Sequence, residues 1–250
     1  MIWCAIGDSF TYLNDHLEET GHRVTKGYIT RTLEKLPGVQ VNNMGINGST
    51  TKDWLNISIP SADFYTILLG TNDWHSHIPA GCGEDFKTAQ KGTILGNLGD
   101  LVGKIRRQAA DAPVIIMNPV ERGDFVCIED PENNARGSYA PDGGQMLGDI
   151  AALIYSSCTG YRIFPVDLYH RCGFTQNNVV HFKRVKTAEG YRDLSYPDYV
   201  NRPYDPVQDP YPYPLEAVWL TYDGLHPSDE GCEILADILA DAIKKALEQR

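Results

Sequence analysis

The chain opens on Ile2-Trp3-Cys4-Ala5-Ile6-Gly7-Asp8-Ser9-Phe10. Residues 2–6 form an unbroken apolar run, without the polar alternation of a strand that has one face in water, so this strand is expected to be covered on both faces. Gly7-Asp8 ends the run with turn chemistry and leaves Ser9 between a strand end and the loop that follows, where a side chain can point into a cleft.

Downstream, strand-like runs bounded by turn residues recur at 39–44, 65–69, 114–117 and 161–166, with helix-like stretches at 28–36, 85–110, 145–156 and 228–248. Strands that alternate with helices imply right-handed crossovers and a parallel sheet with helices on both faces. Five such strands fit a flavodoxin-like order, in which ligands bind at the carboxyl ends of the strands. In the last helix Ile234, Leu235, Ile238, Leu239, Ala242, Ile243, Ala246 and Leu247 recur at three-to-four spacing behind a capped start at Ser228. In the 85–110 stretch Leu95, Leu98, Leu101, Val102 and Ile105 form one stripe. Gly92, Gly96, Gly99 and Gly103 there permit close helix–sheet approach at a cost in helix propensity.

Two stretches, about 11–26 and 168–222, fall outside the alternation and read as insertions over the site in a single domain spanning 1–250. The second carries Tyr196-Pro197, Pro203-Tyr204 and Asp209-Pro210-Tyr211-Pro212-Tyr213-Pro214, which neither helices nor central strands tolerate. It reads either as a rigid aromatic lid or as a structural wrap without ligand contact.

The bulk properties narrow the function. Apolar residues make up 42% and charged residues 22%, ordinary globular usage. The balance of 22 basic against 33 acidic residues, a net charge of -11, repels nucleic-acid phosphates and anionic lipid surfaces. No apolar run approaches the roughly 20 residues of a membrane span. Six scattered cysteines without a Cys-x-x-Cys pair read as free or buried thiols. The absence of a charged and apolar leader favours a cytoplasmic protein, although a secreted chain with its leader removed would look the same.

Four short segments sit at the expected strand ends: Gly7-Asp8-Ser9-Phe10, Asn43-Met44-Gly45-Ile46-Asn47-Gly48, Gly70-Thr71-Asn72-Asp73 and Asp223-Gly224-Leu225-His226-Pro227. Taken singly, each has an ordinary reading: a serine capping a turn, an Asx-turn at Asn72 and Asp73, a surface histidine before a proline. Together and in this order, the set resembles the four sequence blocks of the SGNH (GDSL-type) hydrolase family, with Ser9, Gly45, Asn72 and His226 matching the four named residues. The resemblance implies a flavodoxin-like α/β/α fold and ester hydrolysis on varied acyl substrates. It further implies an oxyanion hole formed by the backbone N–H groups of Ser9 and Gly45 and the side-chain amide of Asn72.

The chemistry of these residues agrees. A serine hydroxyl needs a general base within hydrogen-bond reach, and an imidazole titrating near neutrality suits His226 to that role. An acid three residues earlier, Asp223, can accept the other ring N–H and fix the tautomer. A glycine at 45 would let backbone approach the substrate without a Cβ in the way. Asp8 and Asp73 read as holding the loops rather than moving protons.

Outside this set, His75 and His77 have a spacing that could bring both imidazoles to one metal ion, but no nearby carboxylate or thiol pattern completes a site, so no metal is expected. Trp74 and His75 read as lining the cleft, with stacking surface for a sugar or acyl group. Glu121 and Arg122, after the fourth strand, either bind substrate or pair with each other or with the insertion. The expectation is a serine esterase without cofactor that removes a small acyl group, such as acetyl, from a small-molecule or carbohydrate ester. A lipase-like or thioesterase activity on longer chains, and a carbohydrate-binding module without turnover, are the competing readings.

Overall fold

The computed structural model describes residues 1–82, 86, 91–127, 129–202, 204–207 and 212–249. Five parallel strands, β1 (Ile2–Gly7), β2 (Gln40–Gly45), β3 (Phe64–Leu68), β4 (Val114–Met117) and β5 (Ile163–Val166), form a sheet in the order β2-β1-β3-β4-β5. Gly7 at the end of β1 is in register with Gly45 of β2 and Leu68 of β3, so the segments that follow these strands emerge along one edge. This is the doubly wound α/β fold expected from the sequence.

The unbroken apolar strands are explained by two cores. Trp3, Ala5, Phe64, Leu68, Ile115 and Met117 face one side, where they meet α2 (Tyr28–Glu34) and the C-terminal helix α7 (Asp229–Glu248). Cys4, Ile6, Tyr65, Ile67, Val114 and Ile116 face the other, against α4 (Ile94–Gln108) and α5 (Leu147–Ser157). Alternate side chains thus enter opposite cores, which is why β1 and β4 are apolar at successive positions, whereas the edge strand β2 is only partly buried and carries Gln40, Asn42 and Asn43. In α7 Leu235, Leu239, Ile243 and Ala246 form the buried centre, with Ile234, Ile238, Ala242 and Leu247 packed along its margins. Ser228 caps it, its Oγ accepting from the N–H of Gly231 at 3.3 Å.

Several expected boundaries move. The 85–110 helix starts only at Ile94, because Gly92 takes a left-handed φ of 85° and Thr93 caps the helix, its Oγ1 accepting from the Gly96 N–H. Residues 85 and 87–90 of that expectation lie outside the described residues. Gly99 faces the backbone of Phe86 rather than the sheet, and Gly103 has open space beside it apart from Arg107. The last strand begins at Ile163 instead of 161, since Arg162 has a φ of 52° and closes a turn. Short helices α1 (Ser9–Tyr12) and α3 (Thr71–His75) follow β1 and β3 directly.

Residues 11–26 contain two 3-10 turns, and 168–222 contain α6 (Leu168–Arg171) and an antiparallel hairpin of β6 (Lys183–Thr187) and β7 (Gly190–Leu194). Tyr199 and Tyr213 are fully buried in a cluster of their own with Val126, Val179, Val180 and Ala217, which is how a wrap packs. Pro203 and residues 209–211 of the proline–tyrosine stretch lie outside the described residues. A third excursion, residues 118–146, lies between β4 and α5 and has no hydrophobic periodicity in its sequence. Phe125 pairs with Ala135 within it through backbone hydrogen bonds in both directions. All six cysteines are free thiols, and no helix among the described residues is long and apolar enough to cross a membrane.

Candidate active site

At the end of β1 the chain turns straight into α1, and Asp8 caps that helix by accepting from the Phe10 N–H. Ser9 is thereby the first helical residue, and its own N–H has no partner among the described residues. Its Oγ lies 2.8 Å from Nε2 of His226, and Nδ1 of His226 lies 2.6 Å from Oδ2 of Asp223. The other carboxylate oxygen, Oδ1, accepts from the backbone N–H groups of Leu225 at 2.9 Å and His226 at 2.7 Å. The imidazole is packed by Phe10, Phe125 and Tyr222, with ring centroids 5.6 to 5.9 Å away. Serine, imidazole and carboxylate are therefore aligned for proton transfer from Ser9 to His226.

The corner opposite the imidazole is organised by Ser49. Its Oγ donates to the carbonyl of Gly7, its N–H closes a turn on Ile46, and its carbonyl accepts from Nδ2 of Asn72 at 3.1 Å. One amide hydrogen of Asn72 is held there, and the second remains for a ligand. Gly45 departs from expectation. Its N–H donates to Oδ1 of Asn43 at 2.9 Å, so it is not available to an oxyanion. A Cβ at 45 would lie 2.1 Å from the Tyr12 nitrogen and 2.5 Å from the Thr11 carbonyl carbon, so this glycine lets α1 sit on β2. Three residues on, Gly48 sits in the Ile46–Ser49 turn with a φ of 70°, open space where a Cβ would be, and an N–H without a partner among the described residues.

Burial sets the electrostatics. It pushes the carboxyl of Asp8 up to about 7, against the lowering effects of the Phe10 N–H and the nearby His226. Burial also raises Asp73 to about 6, although the N–H and hydroxyl of Thr51 donate to its carboxylate and pull the other way. Both acids hold loops: Asp8 caps α1, and Asp73 ties α3 to the segment after β2.

The remaining expected site residues are placed elsewhere. Trp74 is fully buried, donates to the Gln145 carbonyl, and does not line the cleft, because its indole is covered by the Arg122 guanidinium at 5.3 Å. Arg122 is buried between Trp74 and Phe125 and makes no pair with Glu121; burial lowers its pKa to about 10. Glu121 instead accepts from the backbone and side chain of Gln176. His75 and His77 do meet a carboxylate, that of Asp142, but each imidazole is hydrogen-bonded to a different oxygen of it. They thereby pin α3 to the 118–146 excursion. Half-buried His16 and exposed Glu18 and Glu19 are the group among the described residues whose ligand atoms lie close enough for one cation.

A cleft of about 350 Å³ opens onto His226 and Asp223. Phe125, Val126, Cys127, Glu129 and Asn133 form one wall, and Leu13, Glu19, Asn47 and Tyr222 complete it. Most of this wall escaped the sequence reading, since it belongs to the aperiodic excursion. Residues 168–222 contribute only Tyr222 among the described lining.

The family model for the GDSL-like lipase/acylhydrolase family matches residues 5–234. A solved structure described as a possible lipase from Chitinophaga pinensis DSM 2588 is 43% identical, with a TM-score of 0.93 over 98% of both chains. A carbohydrate esterase family 3 structure from Talaromyces cellulolyticus is 13% identical, with a TM-score of 0.55 over 100% of both chains. An acetyl xylan esterase is 16% identical, with a TM-score of 0.55 over 97% of this chain and 100% of that one. At those identities the last two show the fold alone. No curated protein matches the sequence. The family match over nearly the whole chain, with Ser9 and His226 brought together from far apart in the sequence, leads to one assignment: the chain belongs to the GDSL-like lipase/acylhydrolase family.

Proposed function

We propose that this protein is a serine esterase that removes a small acyl group, acetyl in the first instance, from a carbohydrate. The observation that carries the reading is the Ser9–His226–Asp223 hydrogen-bonded line. Ser9 Oγ attacks the ester carbonyl while Nε2 of His226 takes its proton. The tetrahedral oxyanion is met by the N–H of Ser9, the N–H of Gly48 and the free amide hydrogen of Asn72. His226 then protonates the departing alcohol, and a water activated by the same imidazole releases the acid and restores Ser9. Asp223 orients the ring and stabilises the imidazolium.

The substrate half of the proposal rests on the cleft wall. Glu19, Asn47, Glu129 and Asn133 offer hydrogen-bond partners to sugar hydroxyls, whereas a long acyl chain needs a continuous apolar groove. The carbohydrate esterase and acetyl xylan esterase with this fold are compatible with that choice. Longer-chain lipase or thioesterase activity is the alternative, and p-nitrophenyl esters from acetyl to dodecanoyl separate the two. A rate maximum at octanoyl or beyond rejects the small-acyl reading. Acetate release from acetylated sugars, abolished in Ser9→Ala, tests the reaction itself, and an unchanged rate in that variant rejects the mechanism. Sugar binding without any turnover in the native protein would instead identify a binding module.

A further inference from the structure

On the far side of the Phe125–Val126 wall lies a second cavity of about 390 Å³, which these two residues share with the cleft. Among the described residues the cleft lining contains the carboxylates of Glu19, Glu129 and Asp223 and no lysine or arginine. The second cavity is the opposite: Lys183, Arg136 and Arg202 line it, with Asp124 as its one acid among the described residues. In a chain of net charge -11, such a concentration of cations stands out.

These cations are poorly matched from within. Lys183 is buried, yet its ammonium reaches Asp124 Oδ2 only at 3.5 Å and the Arg202 carbonyl at 3.3 Å, both long for a charged donor. Asp124 is also committed elsewhere, its Oδ1 accepting from the Gly137 N–H and the Tyr139 hydroxyl. Arg136 has no hydrogen-bond or ion-pair partner among the described residues. The guanidinium of Arg202 donates from Nε to the Asp198 carbonyl, a neutral acceptor. Three cations face one carboxylate, and a buried ammonium with incomplete coordination is costly unless an anion completes it.

We propose that this cavity receives the carboxylate of an acidic sugar unit in the same substrate whose ester enters the cleft. The inference rests on the carbohydrate-ester reading for its setting. The acidic cleft and the basic cavity, back to back across Phe125 and Val126, would fix the direction in which an oligosaccharide lies: the neutral esterified unit at Ser9, the uronic acid unit beside Lys183. A carboxylate matches the forked donors of the two arginines and the ammonium that line the same cavity.

Calorimetric titration of Ser9→Ala protein tests this without turnover, so the result is separate from the fate of the esterase mechanism. The probes are trigalacturonic acid, its fully methyl-esterified counterpart with the charges cancelled, and inorganic phosphate. The acid is expected to bind about tenfold more tightly than the methyl ester, with the advantage shrinking as salt rises. Arg136→Gln with Arg202→Gln should erase that advantage. Arg107→Gln, an exposed charge on α4, should leave it intact. These two arginines are exposed, so their replacement avoids the folding cost of touching Lys183. Equal affinity for acid and methyl ester, an advantage that survives the double substitution, or binding of phosphate without the sugar acid, each overturns the proposal.

Discussion

Asp223 holds His226 twice, with Oδ2 on the ring Nδ1 at 2.6 Å and Oδ1 on the backbone N–H of the same residue at 2.7 Å. The ring and its main chain are thus referenced to one rigid carboxylate. In Asp223→Asn the side chain can keep the backbone contact through its oxygen, but it then presents an amide N–H to Nδ1. That favours the tautomer protonated at Nε2, which cannot take the Ser9 proton. A fall in kcat of about four orders of magnitude is expected, with the melting temperature changed far less. Steady-state rates on p-nitrophenyl acetate, together with a thermal melt, check both halves.

Asn72 has one amide hydrogen fixed on Ser49 and one to offer. Since that second bond strengthens as charge develops on the substrate oxygen, Asn72→Ala should lower kcat by about a hundred- to a thousandfold while leaving KM nearly unchanged. A KM effect alone would assign the residue to ground-state binding.

The two glycines of the 43–48 segment should respond in opposite ways to the same substitution. Gly45→Ala drives a methyl into the backbone of Thr11 and Tyr12 and should cost about 3 kcal/mol or more. Gly48→Ala meets open space and only the strain of a positive φ, about 1 kcal/mol. Urea unfolding of the two variants measures the difference, and equal losses would contradict this placement of α1 on β2.

Asp8 carries a pH signature. Burial raises its folded-state pKa from 3.8 to about 7, so the folded protein binds this proton more tightly than the unfolded chain does. Its contribution to stability is full below the ordinary carboxyl range and is lost as pH rises toward 7. Asp8→Asn cannot ionise and still presents an oxygen to the Phe10 N–H, so its stability relative to the native protein should grow between pH 5 and pH 8. A difference in urea midpoint that stays constant over this range would refute the assignment. The Asp73 carboxylate adds to the raising of Asp8, so its own titration also shifts in the Asp8→Asn variant, and Asp73→Asn run in parallel separates the two.

The sheet was legible because strands covered on both faces leave unbroken apolar runs, as at 2–6 and 114–117. The Asp223–His226 pair was legible because three residues of turn place a carboxylate on the imidazole that follows it. What escaped detection is non-local. Trp74 follows the Asn72 motif immediately, yet it turns inward, because Gln145 and Arg122 supply its hydrogen bond and its cation. Choosing between Gly45 and Gly48 depends on which N–H Asn43 occupies, a side-chain geometry that spacing does not encode. The cleft wall at 125–133 carries no period at all, since it is shaped by one short ribbon and by contacts with distant loops.

Ser9 and His226 are 217 positions apart in the chain. The contact between them therefore forms only once the segment just before α7 has docked beside α1. The same separation suits the protein to being divided: a break at the exposed Ala188-Glu189 turn of the β6–β7 hairpin leaves Ser9 and His226 on different fragments, and the proposed hydrolysis would return only on their reunion.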